Sequence, residues 1–591
     1  MMSILANKNK RTAVFNKIAI LIVIFCSLRL DSSAQNSFTV ISNSKSDYHI
    51  IVPPNAPAIA TEAANILQSY LSKISGCTLP ITKETVNVNA KQLIVGNTNV
   101  LQRSDTSGLG RDGILIKKIG PAIVFAGGYR KGVLYSVYML LDSILHCKMY
   151  TQDVIQIPKS TTITLPASIN IKQAPAFDYR MSGFFNLSKE FCDFNKQNYF
   201  LESWGLWGHT FDDLVPAKKY FDTHPEYFSL VNGKRTPKQL CLSNPDVLKI
   251  AVSNLAALIK AKPGAEFWSV SQNDYDVYCQ CDECQKLDAA QGTHAASVIN
   301  FVNKVAANFP DNTIATLAYQ YSQKPPKSLK PAANVLVMLT SLNERRDKPI
   351  SNSNSDFNTD LNNWLQLTKH IFIWDYLVQF TNSFSPFPNL YTLKPNIQYF
   401  KSKNIRFLFE EGMVNQPAEF SELRTYLISK LMWNVNTDVP ATMHEFIETF
   451  YGHASAPYIE QYIQSLNNDA DKSGAKLFIF GAPADQRNTF LTPANIDKYR
   501  AIFQKALSSI DKNSVYYNRV MKEYLSVLFA EIDVTQALMT INKTKDATSK
   551  AKFKNMLNDF VEQAKLLNIQ YVNEGRRSVE NYYNEQIKKT E

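Results

Sequence analysis

The sequence predicts an α/β protein built as a small N-terminal α/β domain, a central (β/α)8 TIM-like barrel and a C-terminal helical region. Three observations carry that expectation. Short apolar runs alternate with helical segments through the middle of the chain, at a spacing that suits parallel strands joined by helices. Strand signals stop after residue 417 and helical periodicity takes over. The length of 591 residues exceeds what one core accommodates, so several domains are expected. The expected segments are 1–34, 36–165, 175–417 and 418–591, and a doubly wound sheet is the competing arrangement for the third.

Residues 1–34 read as an export signal. Lys8, Lys10, Arg11 and Lys17 form a basic start, Ile18 to Leu28 an apolar core, and Ser32-Ser33-Ala34 a small-residue cleavage site before Gln35. The apolar run is too short to span a bilayer and no later stretch reaches eighteen apolar residues, so the expectation is a periplasmic or secreted protein with no membrane span after signal removal. Cys26 follows Phe25, a poor fit to a lipid anchor. Losing this segment lowers the formal charge from +11 to about +7. The remaining basic residues form no continuous stripe, which argues against nucleic acid.

In the next segment, residues 36–50 and 91–96 read as strands. Ala58 to Ile74 has helical spacing and closes on Ser75-Gly76. Residues 111–116 and 122–126 suit a hairpin, and Gly127-Gly128 leads into a helix from Val133 to Leu145. That glycine pair lacks the Lys-Ser/Thr of a P-loop and a full G-x-G-x-x-G, so a close-packed turn is expected there.

From Phe177 onward seven strands are expected: 177–184, 198–204, 266–273, 313–321, 335–340, 371–376 and 405–410. Helices at 246–261 and 293–308 fit between them. Beyond Ala418, residues 420–434, 441–451, 457–465, 496–510, 515–539 and 548–580 read as amphipathic helices.

Phe267 to Tyr275 is the stretch that points to function. It begins as a short buried strand and ends in Gln272, Asn273, Asp274 and Tyr275. Parallel sheets place ligands outside the carboxyl ends of their strands, so this end suits the floor of a carbohydrate site, with Asp274 as a candidate acid. Cys279-x-Cys281-x-x-Cys284 follows at once. With Cys241 it offers structural disulfides or a closed four-thiolate zinc site; no other cofactor is expected.

Several segments resemble known families. The runs AANILQSYLSKISGCTLPI, LIVG and GGYRKGVLYSVYMLLDSILHCKMY resemble the amino-terminal domain shared by bacterial alpha-glucuronidases and beta-hexosaminidases. HPEYFSLVNGKR (224–235), QLCLSNPDV (239–247), SVSQNDYDVYCQCDEC (269–284), TLAYQY (316–321), IWDYLVQF (373–380), PFPNL (386–390) and SKLMWNVNTDV (429–439) resemble the domain-of-unknown-function family 4838. The resemblance covers most of residues 36 to about 465 and implies a glycoside-hydrolase-like barrel without giving a substrate. It makes an exported, alpha-glucuronidase-like hydrolase acting on polysaccharide or oligosaccharide the first expectation. A beta-N-acetylhexosaminidase-like enzyme and a non-catalytic glycan-binding protein are the alternatives.

Glycosidic cleavage needs a carboxylic acid and usually a second carboxylate, so strand ends carrying acids are the candidates. These are Asp274; Asp375, between Trp374 and Tyr376; and Glu410 with Glu411, of which strand alternation sends one into the mouth, Glu411 being nearer the strand's end. In hexosaminidase-like enzymes an acidic pair occupies the position of Asn273-Asp274, and the departure at Asn273 weakens that alternative. Glu202, Trp204, His209, His224, Asn273, Tyr319, Trp374, Tyr376 and Asn382 supply rings and polar groups expected to bind substrate. Neither His209 nor His224 sits in H-E-x-x-H spacing and no G-x-S-x-G elbow occurs, which argues against a zinc peptidase and an esterase.

Overall fold

The computed structural model describes residues 37–183, 187–353, 355–412, 418–544 and 546–590; the expected signal at 1–34 lies outside the described residues. The chain forms two compact units. One holds the residues up to Lys148 together with Gln156–Ala174, and the other holds Met149–Ile155 and Pro175–Glu591.

In the first unit a six-stranded sheet runs in the order Asn170–Gln173, Ile114–Ile119, Ala122–Gly127, Gln92–Val95, His49–Val52, Ile81–Lys83. The last four strands are parallel. Helices Ala58–Ser75 and Gly132–Ser143 pack on each other and on this sheet. The Gly127-Gly128 turn is close-packed: a Cβ on Gly127 would lie 2.1 Å from the carbonyl carbon of Gly132, so only hydrogen fits.

The second unit is organised by seven parallel strands: β1 (Tyr179–Ser182), β2 (Trp204–Leu206), β3 (Phe267–Ser269), β4 (Thr313–Ala318), β5 (Val335–Thr340), β6 (Ile371–Tyr376) and β7 (Phe407–Glu411). Their order is β1-β7-β6-β5-β4-β3-β2. The sheet is therefore curled, with the first strand paired to the last and no backbone ladder between β1 and β2. Tyr179 of β1 lies 5.3 Å from the Phe267 ring of β3 and 5.6 Å from the Phe372 ring of β6, so rings from well-separated strands fill the hollow. The (β/α)8 expectation holds as far as a curled parallel sheet alternating with helices. The sheet has the seven strands read from the sequence, one short of a closed (β/α)8 barrel.

Two glycines let the sheet curl this tightly. A Cβ on Gly183, just past β1, would fall 1.7 Å from the Gly412 nitrogen just past β7, and one on Gly205 in β2 would fall 2.3 Å from the Trp268 indole. Where β2 would otherwise pair with β1, side chains stand in for a strand. Asn198 Oδ1 accepts from the Arg180 N–H at 2.9 Å, Gln197 Oε1 accepts from the Ser182 N–H at 2.9 Å, and Trp204 Nε1 donates to the Tyr179 hydroxyl at 2.7 Å. The strand expected at 198–204 is displaced for this reason. Residues 200–203 form a helical turn, and β2 begins only at Trp204.

The residues beyond 418 form helices Ser421–Trp433, Val439–Tyr451, Ala456–Ser473, Pro493–Ser508, Val515–Ile541, Ala547–Leu566 and Val579–Lys588. Their apolar faces share one core with the sheet, in which Val337 and Phe409 belong with Leu427, Phe446, Tyr462 and Val527. The single helix expected over 548–580 is broken. Asn568 takes a left-handed φ of 55° and Tyr571 bridges Ser578, so residues 567–578 form a loop. Val515–Ile541 is long and apolar enough to cross a membrane by length and composition; here Val520, Leu525, Val527 and Phe529 on it are buried in the core.

Candidate active site

The strands end in a cavity of about 290 Å³. The last residues of β5, β6 and β7 are Thr340, Tyr376 and Glu411, and all three line it. His209 after β2, Asp274 after β3 and Tyr319 after β4 complete this side. Alternation explains the selection. Trp374 and Tyr376 lie level with Phe409 and Glu411 on the neighbouring strand, and residues two apart share one face.

Glu411 is buried, 7% exposed, and its Oε2 accepts from the Trp374 indole N–H at 2.6 Å. Burial pushes this carboxyl up to about 8; the Trp374 bond opposes the rise and the Glu574 carboxylate adds to it. Asp274 is the opposite case, with its side chain 63% exposed. Its Oδ1 accepts from the Tyr319 hydroxyl at 2.9 Å. Burial first, then the Asp274 carboxylate, raises the Tyr319 phenol above its usual value, so it stays a donor. His209 Nδ1 lies 2.6 Å from the Gln272 carbonyl oxygen, which can only accept. Nδ1 therefore carries the proton, and Nε2 faces Asp274 at 3.9 Å. Two carboxyls in contrasting environments thus border one cavity.

Trp374 lines the cavity and is backed by two further rings. Trp207 stacks on Trp374 at 4.8 Å, and Trp374 meets Phe409 at 5.1 Å. The opposite wall comes from loops whose sequence gave no signal: Phe380, Ile479, Phe480 and Glu574. Asn382 fastens this wall, donating to the Gly481 carbonyl at 2.7 Å and accepting from Arg577 at 3.0 Å. Phe380 N–H donates to Ile479 at 2.7 Å and Ser383 N–H to Val572 at 3.1 Å. Asn382 was expected to bind substrate; the structure gives both ends of its amide to the fold. Thr340 was overlooked, although its place at a strand end could have found it. Its Oγ1 is buried without a hydrogen-bond partner among the described residues.

Asp375 and Glu410, both expected to be catalytic, point away from the cavity. Asp375 is 2% exposed, accepts from the Ser341 hydroxyl and pairs with Arg346 at 3.2 Å. Glu410 is 1% exposed; burial and then the Asp375 charge hold it well above the usual carboxylate range, against Arg346. The alternation that brings Tyr376 and Glu411 to the mouth turns these two into the packed interior.

Other expected binding residues also lie elsewhere. Glu202 precedes β2, at the end of the sheet opposite the cavity, where Lys189 lies 3.9 Å away. Trp204 is a core residue against Tyr179 and Phe267. His224 is exposed, stacked 4.6 Å from Tyr227 and hydrogen-bonded to Glu226 at 2.9 Å. Asn273 is a loop clamp, accepting from the Asp212 N–H at 3.1 Å and donating to the Lys238 carbonyl at 2.9 Å. Cys241, Cys279, Cys281 and Cys284 converge, their sulfurs all within 4.8 Å of one another.

The fold and site define an α/β protein with a curled parallel sheet and a carboxyl-bearing, ring-lined cavity at its carboxyl ends. The chain belongs to the family described as domain of unknown function DUF4838, whose model matches residues 149–464. Among solved structures it is similar to a GH115 4-O-methyl-alpha-glucuronidase with specificity for decorated arabinogalactans. That match has 12% identity and a TM-score of 0.53, covering 93% of this chain and 78% of that one; the likeness is one of fold. A GH138 enzyme targeting pectin rhamnogalacturonan II also matches, at 9% identity and a TM-score of 0.42, covering 91% and 78%. No curated protein matches the chain.

Proposed function

We propose that this protein is a glycoside hydrolase acting on polysaccharide or oligosaccharide, with Glu411 as general acid and Asp274 as the carboxylate that activates water or attacks the anomeric carbon. The observation that carries the reading is the contrast between the two carboxyls. A group raised to about 8 holds its proton at neutral pH, as an acid for a leaving oxygen must. With Oε2 accepting from Trp374, the other oxygen is left to carry that proton. Asp274 stands in solvent on the same cavity, its Oδ1 accepting from the Tyr319 hydroxyl. Trp374 and Phe480 offer ring surface for a sugar face, and Thr340 a hydroxyl for a sugar hydroxyl. The GH115 neighbour, a 4-O-methyl-alpha-glucuronidase, cleaves glycosidic bonds as proposed here. We read the curled sheet as a variant of the barrel on which such hydrolases are built, and residues 1–34 as the signal that exports the protein.

The resemblance to alpha-glucuronidases gives no substrate of itself, and a uronate is one candidate. The cavity lining, however, carries Asp274, Glu411 and Glu574 and no Lys or Arg among the described residues. With Glu411 holding its proton, the lining still offers an anionic sugar unit no cation to pair with, so a neutral glycosyl unit is the better fit. The test is an aryl glycoside panel of neutral hexosides, glucuronides and N-acetylglucosaminides. Turnover is expected on a neutral member, with Glu411→Gln and Asp274→Asn each lowering kcat by roughly 10²–10⁴-fold. Full activity in both variants overturns the assignment. Glycan affinity without product from any member would make this a glycan-binding protein.

A further inference from the structure

We infer that Cys241, Cys279, Cys281 and Cys284 form a tetrahedral four-thiolate Zn²⁺ site whose role is to pin the loop carrying Asp274; the second half of this rests on the function proposed above. A zinc ion bound by four thiolates at about 2.3 Å spaces its sulfurs about 3.8 Å apart. The Cys241 and Cys281 sulfurs are 3.6 Å apart, and all four lie within 4.8 Å of one another. Three are buried and Cys281 half-buried, which matches a closed structural site with no open coordination position. Soft thiolate donors select zinc over oxygen-seeking cations.

The surroundings suit the charge of such a centre. Four thiolates around Zn²⁺ leave a net charge of about −2, which donors must offset. The Arg235 guanidinium, which donates to the Phe228 carbonyl at 2.7 Å, lies beside the sulfurs of Cys241, Cys279 and Cys281. The Leu230 N–H donates to Cys279 at 3.4 Å. Ser243 Oγ lies 3.4 Å from the sulfurs of Cys241, Cys281 and Cys284.

The ligands come from both sides of the candidate active-site loop. Cys241 ends the hairpin formed by Phe228–Val231 and Lys234–Leu240, and the other three follow Asp274 directly. Two residues before Cys241, the Gln239 amide accepts from the Asn273 N–H at 3.0 Å and donates to the Asn273 and Tyr275 carbonyls at 2.7 and 2.9 Å. A metal joining hairpin to loop therefore fixes the backbone on either side of Asp274, and Gln239 is its positioning residue.

The test is made on the intact protein. Elemental analysis should find one zinc per chain, with these four cysteines unmodified by iodoacetamide in peptide maps until a mercurial displaces the metal. Amide exchange across residues 272–280 should then rise at least tenfold. Less than a tenth of an equivalent of zinc after zinc is supplied, iron in its place, or disulfides among these cysteines would overturn the site. One zinc with unchanged exchange would overturn the pinning. Should Cys→Ser variants fail to fold, thiolate-to-metal absorption bands on Co²⁺ exchange carry the ligand assignment; their absence counts against it. Gln239→Leu should keep its zinc while exchange at 272–276 rises. These readouts do not depend on turnover, so they stand or fall separately from the hydrolase reading.

Discussion

Glu410 and Glu411 are adjacent and chemically identical, yet the fold gives them different work. Strand alternation showed that only one could reach the mouth, but the phase of that alternation is set by which neighbours are buried, a tertiary fact. Flanking rings made Asp375 attractive for a related reason: Trp374 and Tyr376 do face the cavity, and period two then requires Asp375 to face away. The pair gives a paired test. Glu410→Gln replaces a carboxyl that burial pushes toward its neutral form, one of whose oxygens lacks a hydrogen-bond partner among the described residues; kcat should stay within about threefold, whereas Glu411→Gln should lower it by roughly 10²–10⁴-fold. The pH dependence follows from the raised carboxyl. Glu411 stands at about 8 in the fold against an ordinary 4.5, so its protonated form favours the folded state. That contribution is fully present below 4.5, and it is lost as pH rises toward 8, at up to about 1.4 kcal/mol per pH unit. Melting temperature in Glu411→Gln should therefore fall less between pH 5 and 8 than in the parent, and parent turnover should decline above about pH 8.

At the scale of elements, six of the seven strands largely overlap the stretches their apolar runs marked, because a buried parallel strand announces itself by β-branched and aromatic residues. β2 was placed too early, since Phe200 and Leu201 look like strand residues and nothing local shows that the neighbouring edge is satisfied by amide side chains. The far wall of the cavity was illegible. Phe480 and Glu574 sit in loops of a region whose periodicity is helical, and they reach the site only because residues 377–389 hold them. Asn382 makes that point testable. Asn382→Ala strands the Gly481 carbonyl and removes one of the Arg577 partners, Glu585 remaining at 3.3 Å, at a cost of about 1–3 kcal/mol. It should raise KM on the best glycoside more than it lowers kcat, because the wall moves while Glu411 and Asp274 keep their own supports. Equal losses in kcat and kcat/KM with unchanged KM would contradict this.

Across the molecule, composition marks where strands cease but not where a core ceases. The helices beyond residue 418 bury Leu427, Phe446, Tyr462 and Val527 in the same core as Val337 and Phe409 of the sheet, so residues 175–417 expressed alone should collect in the insoluble fraction; a soluble fragment with cooperative melting would show otherwise. The line between β1 and β2 has a different consequence. Everywhere else the wall is closed by peptide ladders, whose spacing is fixed by backbone geometry. Along this line the closure rests on one backbone bond, from the Asn198 N–H to the Arg180 carbonyl at 2.8 Å, together with the Asn198 and Gln197 amides and the Trp204 indole. Substitution at Asn198 or Gln197 would therefore change the girth of the bowl here, while the opposite side keeps Glu411 level with Tyr376.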